Sequence, residues 1–238
     1  MTDVLRVVAV NGSPHREGNT ATLMGWVLEG CRSAGAEVTW IHLVDSDLRF
    51  CRGCSACLRL GTCPQRDDLA AILDRLLSAR AIVAGSPVYL GSPSAQMKLL
   101  LDRLSLLQCY AGTFDRHWSV GVATSSQGPN LGVARRLASF FGHPVGALGA
   151  RTCTAREGCQ PLASHHPRRL PERARALGRR LVADARAGRR AIRPLDPAWR
   201  EAALLSPLRR LLFVRPLIVL HPEPYAAVLR IWREKGWL

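Results

Sequence analysis

Apolar and polar positions along the first 150 residues switch repeatedly between two periods. Leu5 to Asn11 is a β-branched apolar run, GSPHREGNT follows, and Ala21 to Ser33 then spaces its apolar side chains at helical intervals up to Gly35. The first pattern predicts a buried strand and the second an amphipathic helix, with Thr20 as the expected N-cap and Gly35 as the stop. Glu37 to Leu43 reads as a second strand. After it, Asp68 to Leu77 places Leu69, Ile72, Leu73 and Leu76 on one helical face, with Asp67 and Asp68 as expected caps. The alternation continues with a strand at Ala81 to Gly85, a helix from Ser94 to Leu107, a strand at Trp118 to Ala123, a helix from Leu131 to Phe141 and a strand at Pro144 to Ala150.

Strands and helices alternating at this pitch predict an α/β fold in which a parallel sheet is covered on both faces through right-handed crossovers. Ligands of such sheets lie outside the carboxyl ends of the strands. Three loops fall on that edge, residues 12–19, 86–93 and 124–130, and all are rich in Gly, Ser and Pro. Such backbone suits close approach to a flat ligand. Beyond Ala150 the pattern breaks. Residues 151–170 show no period, 171–190 read as a helix with a thin apolar stripe at Ala174, Leu177, Leu181 and Val182, and Trp199 to Val214 read as another. The expected organisation is one domain over 1–150 and a basic, mainly helical extension over 151–238 that serves oligomer contacts.

Charge sharpens that division. Residues 1–150 carry 14 basic and 11 acidic side chains while 151–238 carry 19 and 7, within a net charge of +15, and only Lys98 and Lys235 are lysines. Nucleic-acid binding would interleave these arginines with stacking aromatics or set them on a reading motif. Neither pattern is present, so no nucleic-acid partner is expected. Residues 204–220 are apolar but are interrupted by Pro207, Arg209, Arg210 and Arg215 and fall short of the roughly 20 residues a membrane span requires. Packing against the body or a second subunit is the expected role. The short apolar stretch Val4 to Val10 lacks the flanks of a secretory signal, so a cytoplasmic location is expected, where thiols stay reduced. Cys31, Cys109, Cys153 and Cys159 then read as core or surface thiols, and His42, His117, His143, His165, His166 and His221 as structural or surface residues.

Four other cysteines change the picture. Cys51, Cys54, Cys57 and Cys63 stand as C-x2-C-x2-C-x5-C-P, close to the ferredoxin run C-x2-C-x2-C-x3-C-P. A [4Fe-4S] cluster leads. Zinc competes, although its structural sites usually bring two well-separated ligand pairs, and plain reduced thiols lining a loop are the third reading. At the first strand–helix junction, the backbone N–H groups and helix dipole make an anion site, to which Ser13, Asn19 and Thr20 add neutral donors and His15 and Arg16 cationic ones. With neither G-x-G-x-x-G nor G-K-[ST] present, a mononucleotide phosphate fits best. An ordinary tight turn with a capping Thr is the alternative.

The blocks NGSPHREGNTATLM, CRGCSACLRLGTCPQRDDL and GSPVYLGSPSAQMKLLLDRL, in this order, resemble the flavodoxin-like NAD(P)H-dependent FMN reductases, and within them the iron-sulfur flavoproteins, across residues 5–150. The resemblance implies a five-stranded sheet of order 2-1-3-4-5, bound FMN, and a homodimer or homotetramer. Where the family usually reads G-S-P-R-x-x-G-N-T, this chain has His15 followed by Arg16. The resemblance implies that Ser13, His15, Arg16, Gly18, Asn19 and Thr20 hold the FMN phosphate and that Pro87, Val88, Tyr89 and Gly91 border the ring. It puts Thr124, Ser125, Gln127 and Gly128 on the third side and makes Cys51, Cys54, Cys57 and Cys63 the cluster ligands. For Tyr89, a half-buried loop aromatic is the structural alternative. The segment from Ala226 through IWREKGWL resembles the closing helix that supports subunit contacts; residues 151–200 match no pattern.

The implied activity is an oxidoreductase that passes electrons from NAD(P)H through FMN, with a [4Fe-4S] cluster as a candidate relay, to a flavin, a quinone or a redox partner. Such chemistry asks the protein for placement and tuning, so no catalytic acid or base is nominated. Two other classes compete: an electron carrier without nicotinamide activity and a cysteine-based redox sensor.

Overall fold

The computed structural model describes residues 4–127, 130–154, 158–159, 161–162, 168–190 and 214–237. Its sheet is built on β1 (Arg6–Asn11), β2 (Glu37–His42), β3 (Ala81–Tyr89), β5 (Trp118–Ser125) and β6 (His143–Arg151), all parallel in the order β2-β1-β3-β5-β6. A two-residue strand β4 (Ser92–Pro93) folds back antiparallel on β3 and makes the sheet six-stranded. Leaving β4 aside, the order is the flavodoxin-like one.

Alternation along each strand sends successive side chains to opposite faces, and two cores result. Val7, Ala9, Ala81, Val83, Val120 and Val122 pack under α1 (Asn19–Ser33) and α6 (Arg169–Ala187). Val8, Val10, Ile82, Ala84 and Ala123 pack under α3 (Leu69–Leu77), α4 (Ala95–Leu106) and α5 (Leu131–Phe140). The α3 face is the expected one, with Leu69, Ile72, Leu73 and Leu76 all buried. Helices α1 and α6 touch backbone to backbone: a Cβ on Gly178 would lie 1.9 Å from the Val27 carbonyl oxygen, and one on Gly30 would lie 2.0 Å from that of Arg175. Only glycine fits at either position. The buried Cys31 thiol donates to the Gly178 carbonyl, and burial pushes its pKa up to about 12, as for an inert core thiol.

Helix α6 shares the first core through Leu170, Ala174, Leu181, Val182 and Ala185, so part of the chain beyond residue 150 packs on the sheet. The aperiodic stretch before α6 holds a small antiparallel pair, β7 (Cys153–Thr154) with β8 (Gly158–Cys159). The helix expected over Trp199 to Val214 lies outside the described residues except at Val214. Farther on, α7 (Arg215–Leu220) and α8 (Ala226–Glu234) build a third cluster around Ile218, Val228 and Trp232. This cluster packs on Leu58 of the short helix α2 (Ala56–Leu60) and on the π-helical turn Leu107–Ala111. Trp232 Nε1 donates to the Tyr110 carbonyl at 2.8 Å, and Lys235 Nζ to those of Ala111 and Gly112. The closing helix is thus buttressed by its own chain, beside the cysteine loop. Among the described residues no helix is long and apolar enough to cross a membrane.

Two element boundaries differ from expectation. Strand β3 runs four residues past Gly85 because Ser86 and Pro87 pair with Ala123 and Thr124 of β5, and Val88 and Tyr89 with Pro93 and Ser92 of β4. Helix α1 starts at Asn19 with Gly18 at the N-cap position and no side-chain cap. Thr20 is not the cap: its hydroxyl lies 2.6 Å from that of Thr124.

Candidate functional site

The three loops at the carboxyl edge are tied to one another by buried polar contacts. Asn11, the last residue of β1, accepts the Ser13 N–H at 3.0 Å on Oδ1, and the Ser13 hydroxyl accepts the His15 N–H at 3.1 Å. Asn11 Nδ2 lies 3.2 Å from His42 Nδ1. Burial first, and then the nearby Arg16 cation, hold His42 below the usual histidine range, so a neutral ring accepts this bond. Gly12 donates its N–H to the Gly85 carbonyl at 2.8 Å and accepts from the Ser94 hydroxyl on its own carbonyl. Ser94 in turn donates its N–H to Ser86 Oγ at 2.9 Å and caps α4 by accepting from Met97 N–H at 3.2 Å. The Thr20–Thr124 contact joins the first loop to the third, where Ser125 Oγ accepts the Gln127 N–H at 3.2 Å.

Of the residues expected on the phosphate side, Ser13 and Thr20 are buried, while His15 and Arg16 are exposed. Arg16 pairs with Asp45 at 2.7 Å across the loop that follows β2. Asn19 Oδ1 accepts the Leu162 N–H at 2.7 Å. The first turn of α1 has neither a side-chain cap nor an acidic residue, so its N–H groups and positive dipole end suit an anion. Gly12 lets the loop lie against α4, since a Cβ there would stand 2.6 Å from Met97 Cβ. This junction fits the phosphate of a mononucleotide.

On the second loop, Pro87 and Val88 are half-buried and Thr124 and Ser125 are buried beside them on β5. Tyr89 is 54% exposed, more open than a half-buried aromatic. Leu90 and Gly91, both at positive φ, form a two-residue hairpin turn, the geometry of type I′. Arg136 of α5 donates to the Gly91 carbonyl at 3.1 Å and holds this tip. Gln127 is exposed; Gly128 lies outside the described residues. Sequence reading missed Asn11, Ser86 and Ser94. Only Asn11, at a strand end immediately before a glycine, carried a local signal.

The cysteine loop is built differently. Cys51 and Cys54 are exposed, while Cys57 on α2 and Cys63 beyond it are half-buried. Positive φ at Gly53, Ser55 and Gly61 turns the chain around the thiols. Burial, then the nearby Cys63 charge, raises the Cys57 pKa. Among the described residues, however, no three ligating side chains are gathered closely enough to hold a metal ion. The donor set fits a thiolate-bound metal centre by its chemistry and its confinement to one loop, but the side chains do not converge on one point.

At the root of this loop stands a buried ion pair. Arg103 of α4 and Asp67 both have fully buried side chains. The guanidinium donates through Nη1 to Asp67 and to the Arg49 carbonyl, and through Nη2 to Asp67 Oδ1 at 3.1 Å and Cys63 Sγ at 3.3 Å. Asp67 also accepts the Arg49 N–H at 2.9 Å and the Leu69 N–H at 3.1 Å. Burial opposes its charge, but the Arg103 hydrogen bond, followed by these N–H groups, holds the carboxyl below its ordinary value. Asp67 thus does more than cap α3, and Asp68 accepts the Asp47 N–H at 2.7 Å without capping that helix through its side chain.

Comparisons agree with this layout. The sequence model of the family described as NADPH-dependent FMN reductase matches residues 5–153. An iron-sulfur flavoprotein from Methanocaldococcus jannaschii is 35% identical over 156 residues, covering 65% of this chain and 81% of the relative. One from Archaeoglobus fulgidus is 39% identical over 99 residues, 42% of this chain and 48% of the relative; against that protein the chain spans about half the length. Among solved structures, RosB with a bound 8-demethyl-8-formylriboflavin-5'-phosphate superposes with a TM-score of 0.60 at 13% identity, over 87% of this chain and 84% of that one. A flavone reductase gives 0.57 at 13% identity over 79% and 66%. Both speak for the fold.

Proposed function

As this chain belongs to the NADPH-dependent FMN reductase family, in its iron-sulfur flavoprotein branch, we propose that it is an FMN-dependent oxidoreductase that takes electrons from NAD(P)H and delivers them to a small acceptor or a redox partner. The observation that carries the reading is the uncapped, acid-free start of α1 beside three loops laced together by Asn11, Ser13, Ser94, Thr20 and Thr124. Bound FMN would supply reversible one- and two-electron redox chemistry.

In this reading, Ser13, His15, Arg16, Gly18, Asn19, Thr20 and the first N–H groups of α1 bind the phosphate. Pro87, Val88, Tyr89 and Gly91 lie along one border of the ring, and Thr124, Ser125, Gln127 and Gly128 along another. The internal hydrogen bonds of Ser13 and Thr20 fix the loop in place before ligand arrives, and the N–H groups of the acid-free first turn of α1 supply charge complementarity. Cys51, Cys54, Cys57 and Cys63 would hold a cluster, which would supply single-electron transfer. Exposed Phe50, Tyr89, Leu90, Val219 and Leu220 support a homo-oligomer, to which the basic segment beyond the body would contribute. A cytoplasmic, reducing location suits the free thiols.

The test is anaerobic oxidation of NADH and of NADPH by the FMN-loaded protein, with a quinone and with free FMN as acceptors. Turnover that depends on bound FMN is expected. Loss of nicotinamide oxidation with retention of FMN would shift the function to the electron carrier, a reading that the four-thiol loop favours.

A further inference from the structure

We propose that a cavity at the amino edge of the sheet is a binding site for a small phosphate monoester with an apolar body. The cavity has a volume of about 390 Å³. It lies where β3 and β5 begin, opposite the carboxyl edge and its three loops. The body supplies one wall, with Arg80, Arg116 and His117, and the end of α8 supplies the other, with Ile231, Glu234 and Lys235.

Three observations carry the proposal. The first is charge. Arg16, Arg175 and Arg189 each hold a carboxylate elsewhere on the surface, but among the described residues Arg80 and Arg116 pair with none, and Glu234 forms no ion pair with either. The Arg80 guanidinium sits 4.4 Å from the centre of the Trp118 ring, a contact that places it without neutralising it. Lys235 is anchored through Nζ to the Ala111 and Gly112 carbonyls and adds a third positive charge. Set against Glu234, these cations leave an excess of two, which matches a phosphate monoester dianion, and the guanidinium fork suits phosphate oxygens. The second is an orphaned nitrogen in the wall: His117 is 5% exposed, and its buried Nδ1 has no hydrogen-bond partner among the described residues. Its backbone N–H and carbonyl are satisfied by Phe114 and His143, and its ring packs edge-on against Phe114. A buried polar atom of this kind calls for a partner, and an oxygen of the ligand would accept an N–H from the imidazole. The third is the apolar part of the lining, Leu77, Ala79 and Ile231, which suits a hydrocarbon body beside the charged head. Because the two walls belong to the body and to the closing helix, a ligand held between them would tie that helix down and stabilise the fold.

The test titrates protein carrying one equivalent of FMN with butyl phosphate, inorganic phosphate and butyrate, read by calorimetry and by thermal unfolding. Butyl phosphate should bind once per chain and raise the unfolding temperature as its concentration rises. It should bind about tenfold more tightly than inorganic phosphate, which lacks the apolar body, or butyrate, which carries less charge. Arg116→Gln, at an exposed position, should weaken binding about tenfold, whereas Glu234→Gln should tighten it about threefold. Arg173→Gln, exposed on α6, controls for the general positive charge of the surface and should change nothing. A measurement without substitution locates the ligand: in wild type labelled with 15N-histidine, butyl phosphate should move the His117 resonances and leave those of exposed His221 in place. Absence of saturable binding, equal weakening by R116Q and R173Q, or unmoved His117 resonances would overturn the proposal. Failure of FMN to bind at the carboxyl edge would not touch it, since these variants and His117 report on the opposite edge of the sheet.

Discussion

The carboxyl edge of the sheet, proposed above to hold flavin, and the cysteine loop are built by opposite means. At the carboxyl edge the fold itself brings the loops together: strand ends converge, small residues let backbones touch, and buried hydroxyls pair across 104 residues of sequence, as Thr20 does with Thr124. The cysteine loop stands at the margin of the sheet, its first two thiols exposed, fixed at its root by the buried pair Arg103–Asp67 and on its other side by Leu58 packing on the closing helices. A site made by many short neutral contacts should degrade gradually. One that leans on a buried ion pair should lose more when that pair is broken.

The sharpest way to break the contrast is Arg103→Leu. Removing one partner of a buried pair leaves an uncompensated charge, and urea unfolding should show a loss of about 3–5 kcal/mol. The partner carboxylate gives the pH signature. Asp67 titrates below its ordinary value in the folded protein, so its contribution is complete above an unfolded pKa near ~3.9 and is lost as pH falls through the folded one. Between pH 5 and 2 the stability of wild type should therefore fall more steeply than that of Asp67→Asn. Next in size is Gly12→Ala, whose new Cβ would meet Met97 Cβ at 2.6 Å; overpacking of this kind costs about 1–3 kcal/mol, and FMN affinity measured by fluorescence quenching should drop with it. Thr20→Val leaves the buried Thr124 hydroxyl without its partner, a loss of about 1–2 kcal/mol in thermal or urea unfolding. The smallest effect belongs to Cys51→Ser and Cys54→Ser: exposed side chains away from the clamp should change the stability of the metal-free protein by less than about 0.5 kcal/mol, while iron uptake after reconstitution is lost.

The same contrast governs how much was legible in the sequence. The sheet and its flanking helices were readable because strand and helix periods are local signals, and Leu69, Ile72, Leu73 and Leu76 announce their buried face within eight residues. The N-cap of α1 was misplaced because Thr20 has the right chemistry for a cap but finds its partner on β5. The end of β3 was cut short because SPVY has loop composition, whereas its pairing with β5 extends it. Arg103 and Asp67 were invisible as a pair: a charged residue on a periodic helix reads as solvated, and only the folded chain brings α4 to the foot of the cysteine loop. The seating of α6 on α1 was likewise unreadable, because its apolar stripe is thin and the Gly30 and Gly178 contacts leave no hydrophobic trace.

The central claim, that the junction of β1 and α1 grips a phosphate at the sheet's carboxyl edge, is tested most directly by titrating flavin-free protein with FMN and with riboflavin and following flavin fluorescence. The two ligands share a ring and differ in the phosphate alone. One FMN per chain, bound at least about tenfold more tightly than riboflavin, is the predicted result. Equal affinity for the two, or no binding of FMN, would contradict it.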